Sequence, residues 1–423
     1  MKTLTSEICS DLFVYAQNNG LIDVDDTTII VFDFAVLADR VERLKTHFPP
    51  GALHAIAIKT NPLAAILRFL ATQQVGLEAA SLAEVIMAGK VLPENEHIVF
   101  DSPAKTASDI AYLQQHHPGC YINVDSLEEL ALYPQQNSQF PLGLRINPLV
   151  ETDSPDYLSV AGRSSKFGVP LHKRKEILEA FAHWDGLQGL HLHIGSSFKD
   201  LQPSVQAIGK VLHLAEEINQ ELGRKQVTTI DIGGGFPVNY RDGAPYEIET
   251  YATRLREHFP QLWSGAYQVI TEFGRYVHAN AAWALSRVEY IKPFPGGENV
   301  VIHAGADMFL RESYQPGDWH HHLYVMTSEG TVKQDVRQKT QSNIAGPLCF
   351  GGDFLDRRRS LPSVNPGDWL MIADVGANTF SLWSRHCSRP FPKVLGFDSR
   401  YPQKNPHILK ERESYEALLR FWE

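Results

Sequence analysis

The feature that most constrains the fold is a rhythm. From Ala55 to Phe273 eight short β-rich runs, AIAIK, VGLEAAS, HIVFDS, CYINVDS, LGLRINP, LHLHIGS, TIDIGGG and YQVITEFG, alternate with helical patterns. In KEILEAFAHW, Ile177, Leu178, Phe181 and Trp184 share one face; in SVQAIGKVLHLAEEINQEL so do Val205, Ile208, Leu212, Ala215 and Leu222. That is the 3.6-residue period of crossover helices. Strands joined through helices run parallel, and eight of them over about 220 residues fit a (β/α)8 TIM barrel, with a doubly wound sheet as the rival. Beyond residue 283 the rhythm changes. LSRVEYI, NVVIHAG, HHLYVMT, NIAGPLCF, DWLMIAD and PKVLGF follow one another with few helices between them, which predicts a second, all-β domain closed by a short helix in RESYEALLRFWE. The first 30 residues follow neither pattern.

A length of 423 residues suits two cores. The net charge of -10, with 21% charged residues, offers no footprint for nucleic acid or an acidic membrane, so small-molecule work is favoured. Cys9, Cys120, Cys349 and Cys387 are scattered without CxxC spacing, against a disulfide scaffold or a zinc site and in keeping with a cytoplasmic setting. MKTLTSEICSDLF lacks the apolar core of a signal peptide, and no run of about 18 apolar residues occurs, so neither secretion nor membrane spanning is expected.

The run HAIAIKTNP, residues 54–62, ends on a lysine. Burying an unpaired ammonium costs several kcal/mol, so Lys59 either reaches water or does chemistry. Barrel enzymes gather their reactive groups at the C-terminal ends of strands. Candidates recur there: Lys59 at the first run, Glu78 at the second, Arg145 at the fifth, His193 and Ser196 at the sixth, Gly233 to Gly235 at the seventh, Glu272 and Arg275 at the eighth. Singly, each has an ordinary reading: a solvated lysine, a packed histidine, a tight turn at GGGFP, a surface ion pair in EFGR. Jointly they are what pyridoxal 5′-phosphate (PLP) needs: an amine for a Schiff base, N–H donors for phosphate, and a carboxylate to keep the ring nitrogen protonated.

HAIAIKTNP, GLEAASLAEV, HLHIGSS, DIGGGFP, TEFGRYV, GPLCFGGDFL and VGANTFS, in order from residue 55 to about residue 395, resemble the motif series of the fold type III decarboxylases, the diaminopimelate and ornithine decarboxylase family. The resemblance implies an alanine-racemase-like TIM barrel over residues 31–282 that binds PLP, a C-terminal β-barrel domain over 283–423 that residues 1–30 join, and a head-to-tail homodimer with shared active sites. By motif, Lys59 is the Schiff-base lysine, His193 stacks on the cofactor ring and Glu272 meets the pyridinium nitrogen. Ser196, Gly234, Gly235 and Arg275 hold the phosphate, and Glu78 and Arg145 support the cofactor. Cys349 and Asp353 match the pair supplied by the second subunit, the thiol as proton donor; without the resemblance Cys349 reads as a packed core thiol. Arg311, with Tyr314 near it, matches an arginine that grips a substrate carboxylate, an exposed loop arginine being the plain alternative.

Two positions depart from the pattern. Phe350 in CFGGD stands where diaminopimelate decarboxylases carry a glutamate facing the distal amino group, and Asn378 in VGANTFS stands where the family has a tyrosine at the cofactor. AGRSSKFGV and DWHHHLY resemble decarboxylases of siderophore pathways, which accept larger conjugates. Three consecutive histidines, His320 to His322, cannot all face one ion on a strand, so no metal is assigned. Arg357 to Arg359 read as a solvated charge run. The expectation is decarboxylation of an amino acid with release of CO2 and an amine. The alternatives are a siderophore-pathway decarboxylase, an amino-acid racemase on the same barrel, or a non-catalytic relative.

Overall fold

Residues 4–423 are described in the computed structural model except 93, 137, 152–159, 197–199, 239, 241–245, 318, 335–339 and 402–405. Ser197 of HLHIGSS and Asp318 of DWHHHLY therefore lie outside the described residues. The chain opens with α1 (Ser6–Asn18), β1 (Thr28–Asp33) and α2 (Phe34–His47). It continues through β2 (Leu53–Ala57), α3 (Ala64–Thr72), β3 (Gly76–Ala79), α4 (Leu82–Gly89), β4 (Ile98–Asp101), α5 (Ala107–His116), β5 (Tyr121–Val124) and β6 (Leu142–Asn147). Then come β7 (Val169–Pro170), α6 (Arg174–His183), β8 (Leu187–His191), α7 (Gln202–Glu221), β9 (Thr229–Asp231), α8 (Ile248–His258) and β10 (Gln268–Thr271).

Parallel pairing runs β2–β3–β4–β5–β6–β8–β9–β10, and β10 pairs back onto β2. The eight expected runs thus close into a TIM barrel, and the doubly wound alternative falls; the two-residue β7 only extends β6. The barrel belongs to a unit of residues 40–238 and 244–276. Its strands are buried throughout β3 to β6, which is why they read as unbroken apolar runs. The barrel interior interlocks large against small. Tyr121 fills it so tightly that a methyl group on Gly189 or Gly143 would stand 1.9 or 2.6 Å from its hydroxyl oxygen. The loops that follow the strands are set by helix caps. Ser81 accepts the Glu84 N–H while the Glu84 carboxylate takes the Ala80 N–H at 2.7 Å, and Thr106 and Asp109 form a complete capping box on α5. The apolar faces of α6 and α7 are buried at Ile177, Phe181, Val205, Ile208, Leu212 and Ala215, with Ile218 completing the stripe in place of Leu222.

The other unit comprises residues 1–39, 239–243 and 277–423. After α9 (Gly274–His278) come β11 (Ala282–Phe294), β12 (Gly297–Ile302), α10 (Leu310–Tyr314), β13 (Leu323–Met326), β14 (Thr340–Ala345), β15 (Phe354–Leu361), β16 (Trp369–Ile372), β17 (Lys393–Phe397), β18 (His407–Lys410) and α11 (Tyr415–Trp422). Strand β1 lies between β11, antiparallel, and β17, parallel. Helix α1 seals one face of this sheet with Cys9, Leu12, Phe13 and Ala16 against Val31, Trp283, Trp369 and Met371. The second unit is thus the β domain expected after the barrel, a mixed sheet whose described pairings run from β15 to β18, with a short closing helix. The long β11 links it: over 13 residues it pairs β1 and β16 with its first half, shifts register between Val288 and Tyr290, and pairs β12 with its second. The expected boundary at residue 30 falls inside β1, because that strand is held by β11 and β17 along its whole length. Among the described residues no helix is long and apolar enough to cross a membrane.

At the seam of the barrel His54 on β2 is buried, its Nδ1 2.8 Å from Thr271 Oγ1 on β10 and its ring edge-on to Phe48. Burial first, and then the Lys45 charge, push this imidazole down to about 4 from 6.5. The folded state binds the proton less readily than the unfolded chain, so the stability His54 confers is complete above 6.5 and is lost as pH falls toward 4. Taking the unfolded imidazole at 6.5, acidification from pH 7 to pH 5 should cost about 2 kcal/mol through this residue. Urea titrations of the wild type and His54→Asn at both pH values measure it; an equal loss in the two proteins would refute the assignment.

Candidate active site

Strand β2 stops at Ala57, and the chain turns through a single 3₁₀ turn, Ile58–Thr60, before Asn-Pro. Thr60 Oγ1 donates to Ala57 O at 2.6 Å and the Asn61 N–H to Ile58 O at 2.8 Å, which fixes the turn. Lys59 is carried out of the strand by it. Its side chain is 46% exposed, so it does reach water, yet Nζ also lies 2.7 and 2.6 Å from the two oxygens of Glu78, whose side chain is fully buried in β3. Burial pushes the Glu78 carboxyl up to about 7 despite the Lys59 charge. For Lys59, burial favours the neutral amine, but the charges of Glu78, Glu272 and Asp101 outweigh it and hold the ammonium above its ordinary range.

Around this pair the ends of β4, β5, β6, β8 and β9 assemble a buried network. Arg145 Nη1 on β6 is 3.3 Å from both oxygens of Asp101 and 3.5 Å from Asp125, and its guanidinium lies 4.5 Å from the Phe167 ring centre. Burial works against the charge on Asp101, but Arg145 foremost, then His191 and Lys59, hold it well below the usual carboxylate range. Asp231 accepts from Asn123 Nδ2 at 3.0 Å. His191 lies with Nδ1 3.9 Å from Asp101 and Nε2 3.7 Å from Glu272, and burial pushes it toward the neutral form. Asp101, His191 and Glu272 bring three ligand-type atoms within 4.8 Å of one another. Glu272, immediately after β10, is 4% exposed; burial, then the charges of Asp231, Glu78 and Asp101, push it well above the usual range. Its Oε1 is buried without a hydrogen-bond donor. Glu78, Asp101, Asp125, Asp231 and Glu272 thus gather around Lys59 and Arg145, with the Lys105 charge also acting on Asp101.

The glycine turn after β9 is used differently from a bare anion nest. Gly233 donates its N–H to Asp231 Oδ1 at 2.9 Å, and Gly234 donates to His193 Nδ1 at 3.1 Å. The second bond makes Nδ1 an acceptor and so puts the neutral ring's proton on Nε2. A methyl group on Gly233 or Gly234 would come within 2.3 Å of the Leu192 or Glu272 carbonyl oxygen, and Gly233 also takes a left-handed φ of +66°. Gly235 shares the turn at φ +90°. Burial, with Arg145 and Lys59 adding, holds His193 well below 6.5. Arg275 is buried in α9, and Ser196 is half-buried after β8. The barrel unit therefore collects Lys59, Glu78, Arg145, His193, Ser196, Gly234, Gly235, Glu272 and Arg275 at its strand ends.

The remaining candidates belong to the other unit. Tyr314, 60% exposed at the end of α10, stacks on Phe350 at 5.6 Å and 19°, and His386 meets Phe350 edge-on at 6.1 Å. The Arg311 guanidinium lies 4.8 Å from the ring centre of buried Trp319. Asn378 sits at φ +56° in the turn after β16. Cys349 is exposed. Asp353 is 3% exposed and receives the N–H groups of Ala306 at 2.7 Å and Leu348 at 2.5 Å. It braces the loop that carries Cys349. The residues that motif reading passed over are Asp101, Asp125, Asp231 and His191; their signal was a carboxylate closing three apolar runs, HIVFDS, YINVDS and TIDIGGG, and a second histidine in LHLHIGS.

Residues 35–279 match the family model described as "Pyridoxal-dependent decarboxylase, pyridoxal binding domain". Over 411 residues the chain is 29% identical to a diaminopimelate decarboxylase of Archaeoglobus fulgidus, covering 93% of this chain and 92% of that protein. The crystal structure of diaminopimelate decarboxylase from Helicobacter pylori complexed with L-lysine is similar with a TM-score of 0.83 and 27% identity, covering 96% of this chain and 99% of that one. A diaminopimelate decarboxylase structure from M. jannaschi is similar with a TM-score of 0.81 and 25% identity, covering 96% and 93%.

The Lys59–Glu78 contact can be tested without any ligand. Glu78→Gln removes the nearest negative charge, so the amine should lose its proton at lower pH. The pH profile of Lys59 modification by a small acylating reagent, read by peptide mass spectrometry, should move to lower pH by at least one unit, roughly what a neighbouring opposite charge contributes. An unmoved profile would mean that Glu78 does not control the amine.

Proposed function

The chain belongs to the pyridoxal-dependent decarboxylases, and from that premise we propose how its residues divide the work. It is a carboxy-lyase that removes CO2 from an amino acid with PLP as cofactor. Bound PLP supplies the electron sink that carbon needs when its carboxylate leaves. The observation carrying the residue assignment is the buried, donor-less Oε1 of Glu272, which a protonated ring nitrogen would satisfy. A cationic ring would also offset part of the negative charge that Asp231, Glu78 and Asp101 place on Glu272.

In this reading Lys59 supplies the amine for covalent attachment and Glu78 balances it beforehand. His193, oriented by the Gly234 N–H, covers one face of the ring, and Arg145 supports the pocket from its frame of Asp101 and Asp125. Ser196, Gly235 and Arg275 hold the phosphate; Gly234, whose N–H is committed to His193, contributes chiefly by lacking a side chain. Asn378 borders the cofactor. Arg311 takes a substrate carboxylate with Trp319 behind it, and Tyr314 and Phe350 form an aromatic wall for the substrate's far end. Asp353 is a positioning residue for Cys349, which returns a proton to the α-carbon from the partner subunit of a homodimer. Free thiols at all four cysteines support a cytoplasmic setting. We take the barrel to be the cofactor domain and the mixed-sheet unit to carry the substrate-facing loops.

The shared site predicts complementation. Lys59→Ala and Cys349→Ala subunits, each nearly inactive alone, should on co-folding recover up to about a quarter of wild-type CO2 release, since half of randomly mixed dimers carry one intact site of two. If heterodimers form and activity stays at the level of the parents, Cys349 does not act across subunits.

The aromatic wall predicts the substrate class. A charge-assisted hydrogen bond is worth roughly 1.5–3 kcal/mol, so a distal ammonium facing Phe350 in place of a carboxylate forfeits about one to two powers of ten in kcat/KM. Meso-diaminopimelate should therefore be a poor substrate beside amino acids with a bulkier or less cationic far end, and Phe350→Glu should raise its turnover. A CO2-release panel of L, D and meso amino acids decides it. Efficient turnover of meso-diaminopimelate by the unmodified enzyme, matching its best alternative, would overturn the assignment.

A further inference from the structure

We propose that Cys349 and Cys387 form a reversible disulfide that switches the enzyme off. Two of the four cysteines, Cys9 and Cys120, are fully buried in the two cores and packed among apolar side chains or backbone. The other two are exposed and, although 38 positions apart in sequence, touch: the Cys349 N–H donates to Cys387 Sγ at 3.4 Å. With an N–Cα bond of about 1.46 Å, Cys387 Sγ lies within roughly 5 Å of Cys349 Cα. A sulfur that close to the other residue's Cα is compatible with the Cα–Cα spacing of disulfides, about 4.4–6.8 Å, so rotation about the two Cα–Cβ bonds can bring the sulfurs together.

Both loops are held so that the thiols meet. On one side Asp353 takes the Leu348 N–H, one residue from Cys349. On the other, Cys387 and Ser388 adopt left-handed φ values of +60° and +48°, uncommon for side chains of this kind, in a turn closed by the Ser388 N–H on Arg385 O at 2.9 Å. Arg385 is in turn anchored at 2.8 Å to Glu413.

The oxidant is a small-molecule disulfide. One cysteine thiolate attacks a sulfur of that reagent, its S–S bond breaks and one small thiol leaves. The second cysteine then attacks the protein sulfur of the mixed disulfide, forming the Cys349–Cys387 bond and releasing the second small thiol. The protein pair loses two electrons and two protons, and the reagent gains them. Both thiols are exposed, so such a reagent can reach them. The bond itself rests on geometry alone. The loss of activity rests on the proposed role of Cys349, whose sulfur then has no proton to give.

The test uses PLP-loaded enzyme incubated with oxidised glutathione, then with dithiothreitol. Expected are a mass loss of two hydrogens, a non-reducing digest that joins the peptides of Cys349 and Cys387 within one chain, at least a tenfold fall in CO2 release, and its recovery on reduction. Cys387→Ser should start at wild-type activity and yield no joined peptide, only a glutathione adduct at Cys349. Failure to find the joined peptide while exposed thiols are consumed, or a link between two chains, overturns the proposal. A joined pair in a fully active enzyme also overturns the switch, and it identifies the proton-donor role of Cys349 as the faulty premise.

Discussion

Glu78 is a fully buried carboxyl in the middle of a barrel strand, and the barrel mouth is arranged around the cost of putting it there. Left alone, such a group stays protonated; opposite Lys59 at 2.6 and 2.7 Å it can ionise. Burial still lifts Glu78 to about 7, while Glu78, Glu272 and Asp101 together hold the Lys59 ammonium above its ordinary range, so the proton rests on the amine. The buried carboxyl nearest that proton is the one that stabilises its charge.

The same logic extends outward. Arg145 is buried at little net cost because Asp101 and Asp125 flank it and Phe167 covers its face. Burial first, and then the charges of Asp231, Glu78 and Asp101, keep the proton affinity of Glu272 high. A cluster of this kind is stable only if its members cannot drift toward water. Rigid scaffolding prevents drift: fully paired parallel strands, helix caps at Ser81 and Thr106 that start the next helices without slack, and glycines pressed onto neighbouring carbonyls at 233 and 234. The orienting bond from the Gly234 N–H to His193 belongs to this scaffolding, for it spends a backbone donor to fix a ring that burial keeps neutral.

The barrel was legible because both of its periods are local: apolar runs of four to six residues and helices with one apolar face. Lys59, Glu272 and the glycine turn were legible for the same reason, each closing a run. What could not be read was pairing at a distance. Asp101, Asp125 and Asp231 each look like a turn residue until the barrel closes and sets them around Arg145, His191 and Glu272. The Gly234–His193 bond spans 41 positions and the Cys349–Cys387 contact 38, beyond any pattern in a single chain. Strand β1 gave no rhythm to follow because its partners, β11 and β17, lie more than 240 residues away. For Asp353 the motif was legible but its backbone partners, Ala306 and Leu348, were not, since the first lies 47 positions away.

That brace bears on how specificity can change while the reaction does not. The barrel groups are mutually dependent, so replacing any one leaves a buried charge uncompensated, a loss of several kcal/mol. Phe350 is held more loosely: it stacks on Tyr314 at a helix end and meets His386 edge-on. A glutamate can become a phenylalanine there without stranding a partner, provided the loop keeps its shape, and Asp353 keeps it by holding Ala306 and Leu348 from beneath. Glycines at 305 and 346 leave room for that brace, since a methyl group at either would stand 2.6 or 2.3 Å from a carboxylate oxygen of Asp353. The braced loop thus divides one short segment: its buried carboxylate takes the Leu348 N–H next to Cys349, while its half-buried ring is held only by aromatic packing on Tyr314 and His386 among the described contacts.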